Sequence, residues 1–131
     1  MDAKIKQLEM IQGIINRLAN NSFLIKGWCV TLVAALFALS AKDSAQRYMI
    51  VAYIPVVIFW ILDGYYLWQE RLFRALYDYV RGKDDEEIDF SMDTKAFIRG
   101  KDTWSRSIIS TTLLIFYITL IVMMLIVKYS L

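Results

Sequence analysis

The hydrophobic residues of this chain fall into three long blocks separated by polar segments. The blocks cover residues 23–41, 48–68 and 107–127 and hold 19, 21 and 21 residues. The first two contain one charged residue each, and the third contains none. A helix of about 20 apolar residues spans the roughly 30 Å hydrocarbon core of a bilayer. The pattern therefore predicts three transmembrane helices and an all-α membrane protein in which 1–131 form a single membrane domain.

Composition supports this class and argues against catalysis. Apolar residues make up 58% of the 131 residues, above the roughly 45–50% usual for soluble domains. Histidine, the commonest metal ligand and the usual general base near neutral pH, is absent. The single cysteine, Cys29, lies inside the first apolar block, where packing is its expected role. No phosphate-binding glycine loop or nucleophile with a base is found, so we expect a non-enzyme without cofactor or metal.

Basic residues predict the orientation in the membrane. Twelve of the fifteen Lys and Arg residues lie before or within the first span or in the connector after the second. Only Lys42, Arg47 and Lys128 lie elsewhere. The positive-inside rule then places the N-terminus and the connector in the cytoplasm and the C-terminus outside. The first span is not expected to be a cleaved signal peptide, because 22 polar and amphipathic residues precede it.

The segment 1–22 predicts an amphipathic cytoplasmic helix. Its apolar residues recur at alternating spacings of three and four, the spacing of a heptad seam. This stripe either packs on its own chain or on the membrane surface, or mediates self-association. Three asparagines between 16 and 21 interrupt the stripe, where they could cap a helix end or mark a bend. The oligomerisation candidates are Leu8, Ile11, Ile15 and Leu18.

The second span is predicted to continue as a helix beyond the membrane. No Gly or Pro follows Trp68 before Gly82, which predicts a helix to about residue 81. Its apolar face needs a partner, and the stripe of segment 1–22 begins at the same membrane boundary. We expect the two to form a cytoplasmic helical bundle, within one chain or between chains. Pro55, the only proline, is a candidate kink and gating position.

The charged connector 82–106 separates this helix from the third span. An acidic run at 84–93, with six Asp and Glu residues, lies between two basic arms. One interpretation is a solvated acidic loop between helices that basic residues anchor at the headgroups. The alternative is a polyanion site formed by the basic arms and guarded by the acidic run. The candidate anion-binding residues are Arg71, Arg74, Arg81, Lys83, Lys95, Arg99 and Lys101.

Two charged residues lie inside the predicted spans. Lys26 is about 5 Å in from the cytoplasmic start of the first span, and Asp63 is about 7 Å in from the cytoplasmic end of the second. Charges within a bilayer usually face a partner or water. The matched depths favour an interhelical ion pair. A second hypothesis makes Asp63 line a pore mouth, or has the pair break on activation.

Three stretches carry a resemblance to a known group: IQGIINRLANNSFLIKGWCVTLVAALFAL, FWILDGYYLWQERLFRALYDYV and IDFSMD. They resemble short bacterial three-span membrane proteins, in particular the transmembrane effectors of anti-phage defence systems such as Hailong. The resemblance implies an effector in the bacterial inner membrane, and we expect a symmetric homo-oligomer, with a tetramer as the working hypothesis. It also implies control by a partner nucleotidyltransferase, through a nucleotide signal or a single-stranded DNA oligomer that holds the effector inactive.

The resulting expectation is an inner-membrane effector that forms a pore or disrupts the membrane once it is released from inhibition. The alternative is a constitutive small membrane anchor or regulatory subunit of another complex. The two differ in toxicity, because an unrestrained effector damages the membrane and an anchor does not.

Overall fold

The computed structural model describes residues 2–43, 47–98 and 103–130. Regular structure within these ranges is entirely helical, and three helical segments are long and apolar enough to cross a bilayer. The predicted all-α fold, with three helical segments able to span a membrane, is therefore confirmed. The α-helices are α1 (Asp2–Asp43), α2 (Arg47–Val51), α3 (Tyr53–Arg81), α4 (Trp104–Ile108) and α5 (Thr111–Ser130).

Helix α1 joins the predicted amphipathic segment to the first span without interruption. Its 42 residues give a length of roughly 63 Å. Asn16 lies on the exposed side of the helix, where its Oδ1 accepts a hydrogen bond from Gln12 Nε2 at 3.0 Å. The helix end considered at the asparagines was wrong, because α1 continues through them: no proline interrupts the backbone hydrogen bonds, and Asn16 and Asn20 are exposed while Asn21 is half-buried.

The second span is interrupted near its start. Helix α2 ends at Val51 and α3 begins at Tyr53, although the Ala52 N–H still bonds to the Tyr48 carbonyl at 3.1 Å. The break lies just before Pro55, which has no N–H to donate to the Val51 carbonyl. Pro55 therefore lies beside a local weakness in the helix, and its gating role stays a prediction.

The three spans pack around an apolar core, here named the bundle cluster. In the most apolar 18-residue stretch of each span, only 11%, 22% and 17% of the residues, respectively, are buried inside the chain. An apolar cleft of about 270 Å³ also lies between α1 and α5. Most of the span surface is thus left for lipid or for other copies of the chain. The bundle cluster consists of Cys29, Val33, Ala52, Val56, Leu113, Tyr117 and Met124.

The N-terminal part of α1 and the C-terminal part of α3 extend beyond the apolar spans and together form what is here named the stalk. A second core, the stalk cluster, joins them. It consists of Ile11, Ile15, Leu76 and Val80, all 3% exposed or less. The stripe of segment 1–22 thus packs on the extension of the second span within one chain. Among the residues predicted to mediate oligomerisation, Ile11 and Ile15 are buried in this contact. Leu8 packs beside them, and Leu18 is half-buried.

The connector after α3 folds back onto the stalk. It contains two short 3₁₀ turns, Asp85–Glu87 and Lys95–Phe97, and its apolar residues Ile88, Met92 and Phe97 pack on the stalk cluster. Asp85 Oδ1 accepts a hydrogen bond from the Lys4 backbone N–H at 3.0 Å, which satisfies a free donor at the start of α1. The acidic run is therefore more than a solvated loop, since its apolar residues are anchored while most of its carboxylates stay exposed.

Helix α4 docks on α3 at a glycine. A Cβ atom at Gly64 would collide with the Ile108 side chain and approach Ile108 Cα to 3.2 Å. Trp60 Nε1 donates to the Ile108 carbonyl at 2.8 Å, and Trp104 Nε1 donates to the Ile61 carbonyl at 3.2 Å. Glycine is required here because two backbones meet. The contact positions the start of α5 against α3.

Candidate functional site

A fully buried carboxylate lies where the three spans meet. Asp63 sits on α3, next to the glycine that admits α4, and none of its surface is exposed. It accepts hydrogen bonds from Ser22 Oγ and Lys26 Nζ on α1 and from the Tyr117 hydroxyl on α5. An unpaired carboxylate in an apolar interior is very costly. The contacts to Asp63 therefore tie α1 and α5 to α3.

Helix α1 supplies the positive charge of this site. Lys26 Nζ lies 2.5 Å from Asp63 Oδ2 and 2.8 Å from Ser22 Oγ. Ser22 and Lys26 are four residues apart, so both project from the same face of α1. The Lys26 side chain is 20% exposed and its ammonium group lies 5.8 Å from the centre of the Phe116 ring. The ion pair proposed from the matched depths is thus present in the structure.

Helix α5 supplies an aromatic donor. The Tyr117 hydroxyl lies 3.0 Å from Asp63 Oδ2 and 3.3 Å from the Phe59 carbonyl oxygen. Its single proton is expected to bond the carboxylate, because charge strengthens a hydrogen bond. The Tyr117 ring stacks on Trp60 with centroids 5.5 Å apart and meets Phe116 edge-on at 4.8 Å. These two ring contacts limit the freedom of Tyr117 to leave Asp63.

A small cavity reaches this group from the side of the stalk. It has a volume of about 120 Å³, and Ser22, Lys26, Glu70 and Thr112 supply its polar lining. Such a volume holds water when several polar groups surround it. The Lys26 ammonium therefore lies beside hydratable space, whereas the carboxylate of Asp63 is sealed behind it.

The arrangement couples the charge balance at Asp63 to the packing of the spans. Losing one partner of a buried ion pair strongly destabilises the fold, because the other charge remains unpaired in an apolar interior. Neutralising either residue would remove one of the polar ties between the spans. The contacts of Asp63 thus help to hold the three spans in the packing that the structure shows.

The structure places the predicted anion-binding residues along the stalk and connector. Arg74 pairs with Glu70 at 3.4 Å and Arg81 pairs with Asp78 at 3.5 Å; both arginines are exposed on α3, whereas the Glu70 side chain is largely buried. Lys83 and Lys95 lie at the two ends of the acidic run, and Arg71 is half-buried on α3. Arg99 and Lys101 lie outside the described residues. The two arginine pairs are local to one helix, so they leave the charge accessible to solvent.

Ser22 and Tyr117 were missed at the sequence level. A signal existed for Ser22, because it precedes Lys26 by one helical turn and any partner of Lys26 would lie near it. The sequence signal for Tyr117 was weaker, because a tyrosine in a span is usually an interfacial anchor. Its position mid-span, away from the predicted interfaces, was the available signal.

Comparison of the chain with protein-family models, with curated proteins and with solved structures finds no match.

Proposed function

We propose that this chain is a membrane effector of bacterial defence against phage, which permeabilises the inner membrane when the contacts at Asp63 are released. The observation that carries the proposal is the buried carboxylate that receives donors from α1 and α5 at once. Removing one partner of such a buried pair strongly destabilises the packing that contains it. In this proposal the N-terminus and the connector face the cytoplasm, following the distribution of basic residues.

The permeabilising form is proposed to contain several copies of the chain. The bundle cluster fills the space between the three spans of one copy with side chains, so a water-filled path has to form between copies. The weakly buried spans and the cleft between α1 and α5 leave apolar surface for such contacts. A tetramer is the assembly that we propose as the working hypothesis.

Neutralising Asp63 is expected to make the chain toxic. We predict that induced Asp63→Asn depolarises the inner membrane of bacteria to nearly the extent of a protonophore, because Lys26 loses its counter-charge while the side chain keeps its size. The measurement is the fluorescence of a potential-sensitive dye after induction, with the amount of membrane-inserted protein matched by immunoblot. The wild-type chain is expected to depolarise cells less.

Asp78→Asn is the matched control, because it removes the same charge from an exposed position on the same helix. It is expected to behave as the wild type. If cells carrying Asp63→Asn, Asp78→Asn or the wild-type chain at equal amounts all keep the potential of cells without the chain, the effector proposal is contradicted. That result would favour the alternative of a constitutive membrane anchor or regulatory subunit.

The restraint is proposed to come from an anionic nucleotide signal, such as a single-stranded DNA oligomer made by a partner nucleotidyltransferase. What supports this is the accessible charge of Arg74 and Arg81 on α3, together with Lys83 and Lys95 around the connector. Phosphate contacts dominate such binding and depend on basic side chains.

Reversing two of these charges is expected to remove bound nucleic acid. We predict that Arg74→Glu with Arg81→Glu loses most of the oligonucleotide that copurifies with the chain, read from the ratio of absorbance at 260 and 280 nm. The control Lys42→Glu with Arg47→Glu makes the same net change at the opposite end of the spans. If wild type and both double variants carry the same nucleic acid, or none, the proposed restraint is refuted.

A further inference from the structure

The polar cavity beside Asp63 brings a second carboxylate toward Lys26. Glu70 and Lys26 both line this cavity of about 120 Å³. Glu70 follows Asp63 by seven residues on α3, which places the two carboxylates on the same face, about 10 Å apart along the helix axis. The Glu70 side chain is only 15% exposed. Glu70 therefore borders the Asp63 site, although the sequence places it beyond the second span.

The helix directions turn these two side chains toward each other. Helices α1 and α3 are antiparallel, since Lys26 meets Asp63 in the spans while Ile11 shares the stalk cluster with Leu76. A side chain on a helix leans toward the N-terminus of that helix. Lys26 on α1 thus leans toward the stalk, and Glu70 on α3 leans toward the spans.

The Lys26 ammonium has a hydrogen bond left to give. An ammonium group carries three donors. In the part of the chain that the structure describes, Lys26 Nζ donates to Ser22 Oγ at 2.8 Å and to Asp63 Oδ2 at 2.5 Å. The Lys26 side chain is 20% exposed and lines the cavity, so the third donor has hydratable space beside it. An acceptor on the opposite wall of the cavity can use that donor through water.

Glu70 is shared with an exposed arginine. Arg74 Nη2 lies 3.4 Å from Glu70 Oε1, and the Arg74 side chain is 59% exposed. Such pairs on a helix surface contribute little to stability. A phosphate group binds a guanidinium more strongly, because it accepts two parallel hydrogen bonds. An anion from solvent can therefore take Arg74 away from Glu70 at small cost.

On the basis of the anion binding proposed above, we propose that Glu70 couples Arg74 to the Asp63 site. A phosphate group that takes the Arg74 guanidinium frees Glu70 to accept the third hydrogen bond of Lys26 through water in the cavity. Helices α1 and α3 then gain a second tie beside the one at Asp63. The bound anion thereby stabilises the packing that the structure shows, which is the direction that a restraint requires.

The first test needs no ligand, because Arg74→Gln removes the partner of Glu70 as a phosphate group does. Unfolding of the full chain is followed by circular dichroism in mixed micelles with a rising fraction of denaturing detergent. Arg74→Gln is expected to raise the ratio of folded to unfolded chain about fivefold at a fixed detergent composition. The gain is expected to be lost when Glu70→Gln is added. It is also expected to be absent in a chain with Lys26→Met and Asp63→Asn, which has no ammonium for Glu70 to reach.

Arg81→Gln is the matched control, because it breaks the other arginine pair of the same helix. Its partner Asp78 is 67% exposed and does not line the cavity, so the ratio is expected to change less than about twofold. The coupling is overturned if Arg74→Gln gives no gain, if Arg81→Gln gives an equal one, or if the gain persists without Glu70 or without the Lys26 ammonium. Unchanged elution on size exclusion shows that each variant is folded.

The second test adds single-stranded oligothymidylate, whose binding is read from the fluorescence anisotropy of a labelled strand. In the wild type the bound strand is expected to slow hydrogen exchange of the peptides that contain Lys26 and Asp63. In Glu70→Gln the strand is expected to bind while this slowing is lost. Equal slowing in both chains overturns the coupling and leaves the restraint standing. If no strand binds the wild type, the proposed restraint fails, and the test without ligand still decides whether Arg74 acts on the Asp63 site through Glu70.

Discussion

Replacing Lys26 by Met is expected to lower the free energy of unfolding by about 3–5 kcal/mol. The substitution removes the cation 2.5 Å from Asp63 and leaves a carboxylate with no exposed surface in an apolar interior. The measurement is equilibrium unfolding in mixed detergent micelles with a rising fraction of denaturing detergent, followed by circular dichroism. Lys42→Met, which removes an exposed cation from the same helix, is the control and is expected to shift stability by less than about 0.5 kcal/mol.

A double variant separates pairing from packing. Lys26→Met combined with Asp63→Asn removes both charges, and the asparagine still accepts a hydrogen bond from Tyr117. Stability is expected to return to within about 1–2 kcal/mol of the wild type, because a buried pair replaced as a unit leaves no uncompensated charge. If the double variant is as unstable as Lys26→Met, then Lys26 contributes by packing and the interpretation as an ion pair is wrong.

Replacing Ile11 by Ala is expected to cost about 2–5 kcal/mol, because it opens a cavity in the small stalk cluster. Ile11 has no exposed surface and packs between α3 and the returning connector. The loss should be confined to the stalk, since the bundle cluster is a separate core. Hydrogen exchange read by mass spectrometry checks this: peptides from the stalk should exchange faster, whereas peptides from the spans should not change.

Ile5→Ala is the matched control for this cavity. Ile5 lies on the same helix with 47% of its surface exposed, so its truncation is expected to shift stability by less than about 0.5 kcal/mol. Equal effects of the two variants would mean that the stalk cluster does not hold the connector and α1 together. Faster exchange throughout the spans would mean that the two cores unfold as one.

The ion pair shows how far sequence reasoning reached into the site. The matched depth of Lys26 and Asp63 in their spans predicts that the two side chains pair. That depth follows from the rise per helical residue alone. Tyr117 could not be assigned in the same way. Helix α5 is apolar on every side, so its sequence has no polar stripe to show which face meets α3. In a membrane, lipid chains and side chains are equally apolar, and the pattern that marks a core in water is lost.

The connector shows a second limit. Ile88, Met92 and Phe97 are scattered through an acidic stretch without helical or strand periodicity, so no local pattern marks them as buried. Their role arises only because α1 and α3 present the stalk cluster beside the connector. A groove that Gln7 helps to line arises in the same way, since its walls come from three segments that are far apart in the chain.

The amino-acid order by itself determined that this protein is helical, that three of its segments suit a bilayer and that one charge lies at matching depth in each of the first two. These properties depend on the chemistry of consecutive residues and on the fixed geometry of a helix. Only the tertiary structure decided that α1 runs unbroken from stalk to membrane, that its seam is buried within one chain, and that Ser22 and Tyr117 complete the contacts of Asp63. Those outcomes depend on which helix faces meet, and residues distant in the chain settle that through packing and the need to pair every buried charge.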